Sequence, residues 1–107
     1  MPITRIGLVA VPDESKQELA IKGFADLASL CKKPDGSTYI ISSKAGKANV
    51  LVSQPPSAAW TVVTEITFAS QADLDYYQNE DPVYQAVLKQ NAEEKLATGI
   101  LGITTEF

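Results

Sequence analysis

The sequence predicts an α+β domain in which one antiparallel sheet carries helices on a single face. Three observations lead to it. Apolar residues recur at strand and helix periods in the order strand, helix, strand, strand, helix pair, strand, which suits one antiparallel sheet. The chain has 107 residues, 45% of them apolar, enough for one core and too few for two that fold alone. The first and last strands are apolar on both faces, although helices in so short a chain cover only one. The second face calls for a partner, and an identical sheet from another copy is the simplest.

Residues 3–11 are rich in β-branched side chains and close at Pro12, so a strand is expected, with Ile3, Val9 and Val11 on one face and Ile6, Leu8 and Ala10 on the other. Ser15-Lys16-Gln17-Glu18 has the spacing of a capping box, Ser15 accepting from first-turn amides and Glu18 reaching back. The helix that follows sets Ala20, Phe24, Leu27 and Cys31 on one stripe and ends at Pro34-Asp35-Gly36. Residues 39–46 form a second strand broken by Gly46, with 49–53 as a short edge extension. Gln54-Pro55-Pro56-Ser57 reads as a loop, because proline brings no amide hydrogen to a ladder. Residues 60–68 alternate cleanly, with Trp60, Val62, Thr64, Ile66 and Phe68 on one face and Thr61, Val63, Glu65 and Thr67 on the other. Ser70 to Asp73 starts a helix bearing Leu74, Tyr76 and Tyr77. Asp81-Pro82 starts the next, with an acid cap and a proline at the first helical position. Val83, Tyr84, Val87 and Leu88 continue at helical spacing, and 99–107 form the final strand. A single domain, 1–107, is expected, without repeats or low-complexity tracts.

Nine Lys and Arg against thirteen Asp and Glu give a net charge of -4, the wrong sign for binding nucleic acid or an anionic membrane. The absence of histidine excludes Ser-His-Asp and Cys-His nucleophiles and imidazole proton shuttles. One cysteine, Cys31, makes neither an intramolecular disulfide nor a thiolate metal site, and neither glycine Gly36 nor Gly46 opens a phosphate loop. Any activity is therefore expected to need no cofactor, metal or nucleotide. The first strand is neither a secretory signal nor a membrane span, and no Asn-x-Ser/Thr acceptor occurs, so a reducing, cytoplasmic location is expected.

Pro2-Ile3-Thr4-Arg5, the stretch 36–46 with Tyr39-Ile40-Ile41-Ser42 and Lys44-Ala45-Gly46, and the stretch 64–77 ending in Asp75-Tyr76-Tyr77 together resemble the stress-responsive dimeric α/β-barrel (Dabb) family, in particular its small fungal members. The resemblance covers nearly the whole chain. It implies a ferredoxin-like sheet that packs face to face with a second copy into a barrel, and it fixes no activity. One branch of the family is a plant polyketide cyclase that closes a ring by aldol chemistry with a histidine and a tyrosine in a pocket between helices and sheet. Aligned through Phe68 and Pro82, its tyrosine falls on Tyr77, its catalytic histidine on Tyr84, and two further pocket histidines on Arg5 and Val62. A tyrosine hydroxyl, with an ordinary pKa near ~10, is a far weaker base at neutral pH, so that mechanism does not carry over whole.

The candidate catalytic group is Arg5, Tyr77 and Tyr84 converging on an enolate or carboxylate; the plainer reading of Arg5 is a strand-end arginine meeting a surface acid. Phe24, Trp60 and Val62 are the candidate apolar lining, Trp60 serving equally as packing or dimer contact. Tyr76 and Tyr77 point about 100° apart, so only one faces inward. Glu65, on the face opposite Trp60, is expected to bond a cross-strand Thr or Lys, with a buried catalytic carboxylate as the alternative reading. Asp73 and Asp75 diverge on their helix and make no metal motif, and Cys31 on the stripe reads as an inert buried thiol. Two functions remain: a small-molecule-binding dimeric barrel, acting as a cofactor-free cyclase or isomerase on a hydrophobic polyketide-like carbonyl compound, or a non-enzymatic stress-associated dimer. A cavity between helices and sheet with convergent polar groups favours the first; a solid interior favours the second.

Overall fold

The computed structural model describes residues 2–54 and 60–107. Its elements run β1 (Ile3–Ala10), α1 (Glu14–Ala25), α2 (Leu27–Leu30), β2 (Ile40–Lys47), β3 (Val62–Phe68), α3 (Gln71–Asn79), α4 (Pro82–Glu94) and β4 (Gly99–Thr105). The four strands form one antiparallel sheet in the order β2-β3-β1-β4. Ile3, Val9, Val62, Ile66 and Phe68 are buried on its helix side, as the alternation of β3 requires. Gln54-Pro55-Pro56-Ser57, read as a loop, lies for the most part outside the described residues.

Helix starts follow local chemistry. Ser70 accepts from the Asp73 amide, and Asp81 from the Val83 and Tyr84 amides ahead of Pro82. The first helix starts two residues earlier than the capping box suggests. Asp13 is its cap, its carboxylate holding both the amide and the hydroxyl of Ser15 at 3.0 and 2.7 Å, while Glu18 pairs with Lys47 at the surface. The same helix divides at Asp26 rather than running on to Pro34. The cause is a tertiary contact: the Ser43 hydroxyl donates to the Ala25 carbonyl at 2.7 Å and accepts from the Ala28 amide at 3.0 Å, inserting a strand side chain into the helical ladder. The stripe survives the break, with Leu27 and Cys31 fully buried.

Residues 49–53 form no strand. Pairing ends just past Lys47, where the Ala48 amide still reaches the Thr61 carbonyl, and Val50, Leu51 and Val52 stand exposed. The strand also passes through Gly46 without a break.

Two core clusters lie under the helices. One joins Ile3, Leu27, Cys31, Ile66, Phe68, Leu74, Tyr77 and Tyr84; the other joins Val9, Val11 and Val62 to Ala20, Ile21 and Phe24 of α1. The opposite face of the sheet carries Ile6, Leu8 and Val63 beside Leu101 and Ile103, the last two 45% and 54% exposed. No described element covers it. Glu65 sits on that face in register with Ile6 on one side and Lys44 on the other.

Candidate functional site

The two core clusters are separated by a change in side-chain size. Pairing sets Ala45, Thr64, Gly7 and Gly102 in one row across the helix side of the sheet, and Ser43, Ile66, Arg5 and Thr104 in the next. The first row has no long side chain, so the sheet carries a trough at mid-length. Over it, between α1 and α4, opens a cleft of about 210 Å³. Arg5, Gly7, Thr64 and Tyr84 lie at its inner end; Leu19, Ala20 and Phe24 of α1 and Val87 and Leu88 of α4 line its walls; Lys16, Gln90, Asn91 and Glu94 rim it. The walls are apolar and the inner end is polar, the usual division of labour in a small-molecule site.

Arg5 is only 7% exposed. Its Nε donates to Gln78 Oε1 at 3.0 Å and its Nη2 to Tyr84 Oη at 3.2 Å. The guanidinium faces the rings of Tyr77 and Tyr84 at 5.8 and 5.7 Å. Among the described residues no carboxylate lies within ion-pair distance of it, so the surface-acid reading of Arg5 is replaced by a buried cation with neutral partners. A methyl group at Gly102 would sit 3.0 Å from Nη2, and one at Gly7 3.1 Å from Nη1 and 2.5 Å from Thr64 Oγ1. These two glycines are needed for space: neither has a positive φ.

Tyr84 Oη accepts from both Arg5 and Gln78 Nε2, which leaves its own proton free to donate. Thr64 Oγ1 is buried, lines the cleft and has no hydrogen-bond partner. The Tyr77 ring stacks obliquely on Tyr84, centroids 4.3 Å apart, but Tyr77 does not line the cleft, and its buried hydroxyl has no partner. Burial pushes that hydroxyl's pKa above the ordinary tyrosine value, the nearby Arg5 charge opposing the shift. Tyr76 is the outward one of the pair: it meets Tyr39 edge to face and donates to the Lys32 carbonyl. Of the apolar candidates, Phe24 lines the cleft. Val62 is fully buried beneath it, in the α1 cluster, and half-buried Trp60 precedes β3 outside the lining.

Beside the site, Asp81 is fully buried. Its carboxylate takes the Tyr39 hydroxyl as well as the two cap amides, fixing the start of α4 and hence Tyr84. Burial, then the Asp81 charge, push the Cys31 thiol up to about 12, and burial and the Asp81 hydrogen bond push Tyr39 above its ordinary value. Among the described residues no group of three His, Cys, Asp or Glu could hold a metal ion, and no helix is long and apolar enough to cross a membrane. Sequence reasoning missed Gly7, Thr64, Gln78 and Gly102. The first, second and fourth meet only through strand register, and Gln78 only through the angle of α3 on the sheet.

A four-stranded antiparallel sheet with helices on one face and an apolar cleft beneath them defines a small ferredoxin-like α+β domain. Residues 3–98 match the stress responsive A/B barrel domain, Dabb, and the chain belongs to that family. A protein of the fusaristatin A biosynthesis cluster of Gibberella zeae is 29% identical over 87 residues, 81% of this chain; the chain spans 60% of that relative's length. Among solved structures, the At3g17210 protein of Arabidopsis thaliana superposes with a TM-score of 0.73 at 19% identity, covering 98% of this chain and 94% of the other. A dimeric ferredoxin-like protein of unknown function from Jannaschia sp. CCS1 does so with 0.68 at 16% identity, covering 100% of both. At such identities the two structures speak for the fold.

Proposed function

We propose that this protein binds a small apolar compound in the α1–α4 cleft, works as a homodimer through the open sheet face, and acts as a cofactor-free cyclase or isomerase on a polyketide-like carbonyl compound. The observation that carries the reading is the buried Arg5 cation with neutral protein partners at the inner end of an apolar cleft. Arg5, Tyr84 and Thr64 are hydrogen-bond donors lining the same inner end of the cleft, so they polarise a carbonyl there and stabilise the negative oxygen of an enolate or aldol alkoxide. They are donors rather than proton acceptors, so they serve ring closure or isomerisation by stabilising charge. The relative in a fungal biosynthesis cluster supports metabolite chemistry, and the existence of the cleft favours binding over a purely structural dimer. The apolar open face, together with the dimeric ferredoxin-like neighbour, supports the homodimer.

Tyr84→Phe tests the site, because it keeps the ring and removes one donor. Binding of a panel of aromatic and polyketide-like compounds is measured on parent and variant, with thermal unfolding to check the fold. Affinity is expected to fall by on the order of 1 kcal/mol. Equal binding by the two proteins, or no binding by the parent, would overturn the reading.

A further inference from the structure

Taking the cleft as a binding site, we infer that the group it receives at Arg5 is a carboxylate, so that the polyketide-like compound of the proposed function is an apolar carboxylic acid.

The first argument is charge. A buried cation is normally paired, because desolvation otherwise opposes it strongly. The half-buried Lys33 on the same molecule has Asp73 at 2.7 Å; the buried Arg5 has the amide oxygen of Gln78, the hydroxyl oxygen of Tyr84 and two aromatic faces. Those partners orient the guanidinium and leave its charge unneutralised. A carboxylate entering the cleft supplies the missing negative charge at its inner end.

The second argument is the count of donors. Arg5 Nη1 makes no hydrogen bond to any described residue, and Thr64 Oγ1 is buried and unpartnered. Both lie close to one point above Gly7, 3.1 and 2.5 Å from where a side chain there would begin. Tyr84, bonded to Arg5 Nη2, keeps its own proton free to donate. Two unpartnered groups therefore converge where the sheet has no side chain of its own, with a third donor bonded to the same guanidinium. An ionised carboxylate accepts only, through two oxygens, and matches such a set; a ketone brings one oxygen. Gly102 lets the guanidinium lie against the sheet, and Gln78 holds its Nε, so these two are positioning residues. Phe24, Leu88 and Val87 leave room for an apolar tail toward the mouth.

Octanoate and 2-octanone, alike in chain length and differing in the carboxylate, are titrated by calorimetry into the purified protein at neutral pH. Octanoate is expected to bind at least tenfold more tightly. Arg5→Met should abolish that preference, and Thr64→Val, of nearly unchanged shape, should weaken octanoate severalfold and by more than it weakens 2-octanone. Should Arg5→Met fail to fold, Thr64→Val carries the test alone. If the ketone binds as tightly as the acid, or octanoate binds both variants as it binds the parent, the carboxylate assignment is wrong while the cleft reading stands. If neither compound binds and the aromatic panel also fails, both readings fall.

Discussion

Replacing Gly7 by alanine probes whether the row of small residues is what seats Arg5. The new methyl would begin 2.5 Å from Thr64 Oγ1 and 3.1 Å from Arg5 Nη1. The first distance is far inside van der Waals contact, and Thr64 is β-branched with a stiff χ1 in a central strand, so it yields poorly. Overpacking of this kind costs about 1–3 kcal/mol. Loss of glycine's freedom in the unfolded chain returns about 0.4–1 kcal/mol. The net expectation is a loss of about 1–2 kcal/mol, equivalent to roughly 5–15 °C in Tm for a domain of this size. Thr64→Ala removes the atom in the way, so the double variant Gly7→Ala/Thr64→Ala should be less destabilised than the sum of the singles by about 1 kcal/mol. Urea unfolding of the four proteins closes the cycle. Additivity within about 0.5 kcal/mol, or a Gly7→Ala protein more stable than the parent, would refute the packing argument.

Leu8→Glu puts a charge at the centre of the open face, between Val63 and Leu101; light scattering after size exclusion should give twice the chain mass for the parent and the chain mass for the variant. A parent that runs as a monomer at micromolar concentration would remove the homodimer. Stability should also fall in alkali. Cys31 is held neutral in the fold up to about 12 against an ordinary 9.0, and Tyr39 and Tyr77 are likewise shifted up from 10.0. Their contribution is complete below pH 9 and is lost as the pH rises from there, because the unfolded chain releases these protons first. Cys31→Ala should flatten the first part of that decline in urea midpoints measured from pH 7 upward, and an unchanged slope would contradict it.

Much of the fold is legible because it rests on local chemistry. The alternation in β3, the Ser70 and Asp81 caps and the proline after Asp81 each act within a few residues, and the structure keeps them. The departures have distant causes. Ser43, far along the chain, divides the first helix at Ala25 and Ala28. Asp13 outcompetes Ser15 as a cap because its carboxylate takes both groups of Ser15. Residues 49–53 are β-branched enough to suggest a strand, yet β2 already forms the edge of the sheet and they find no place in it. The site divides in the same way. Arg5 stands out in an apolar strand, but Gly7, Thr64 and Gly102 look like unrelated small residues until strand register sets them side by side.

That register also bears on the chemistry available. The family resemblance sets histidines of a cyclase on Arg5, Val62 and Tyr84. In the fold, Arg5 and Tyr84 touch, whereas Val62 lies two strand rows away among apolar neighbours of α1. Imidazoles at those places could take and return protons near neutral pH. No imidazole stands at any of them here, and the chain has no histidine. What Arg5 and Tyr84 supply instead is fixed positive charge and directed donors, held by Gln78 and by the Asp81 cap beneath Tyr84. On the proposed function, this arrangement holds a negative oxygen rather than moving a proton. The proposed chemistry depends on Arg5 remaining buried, because water at the inner end would screen the charge on which the proposed selectivity rests.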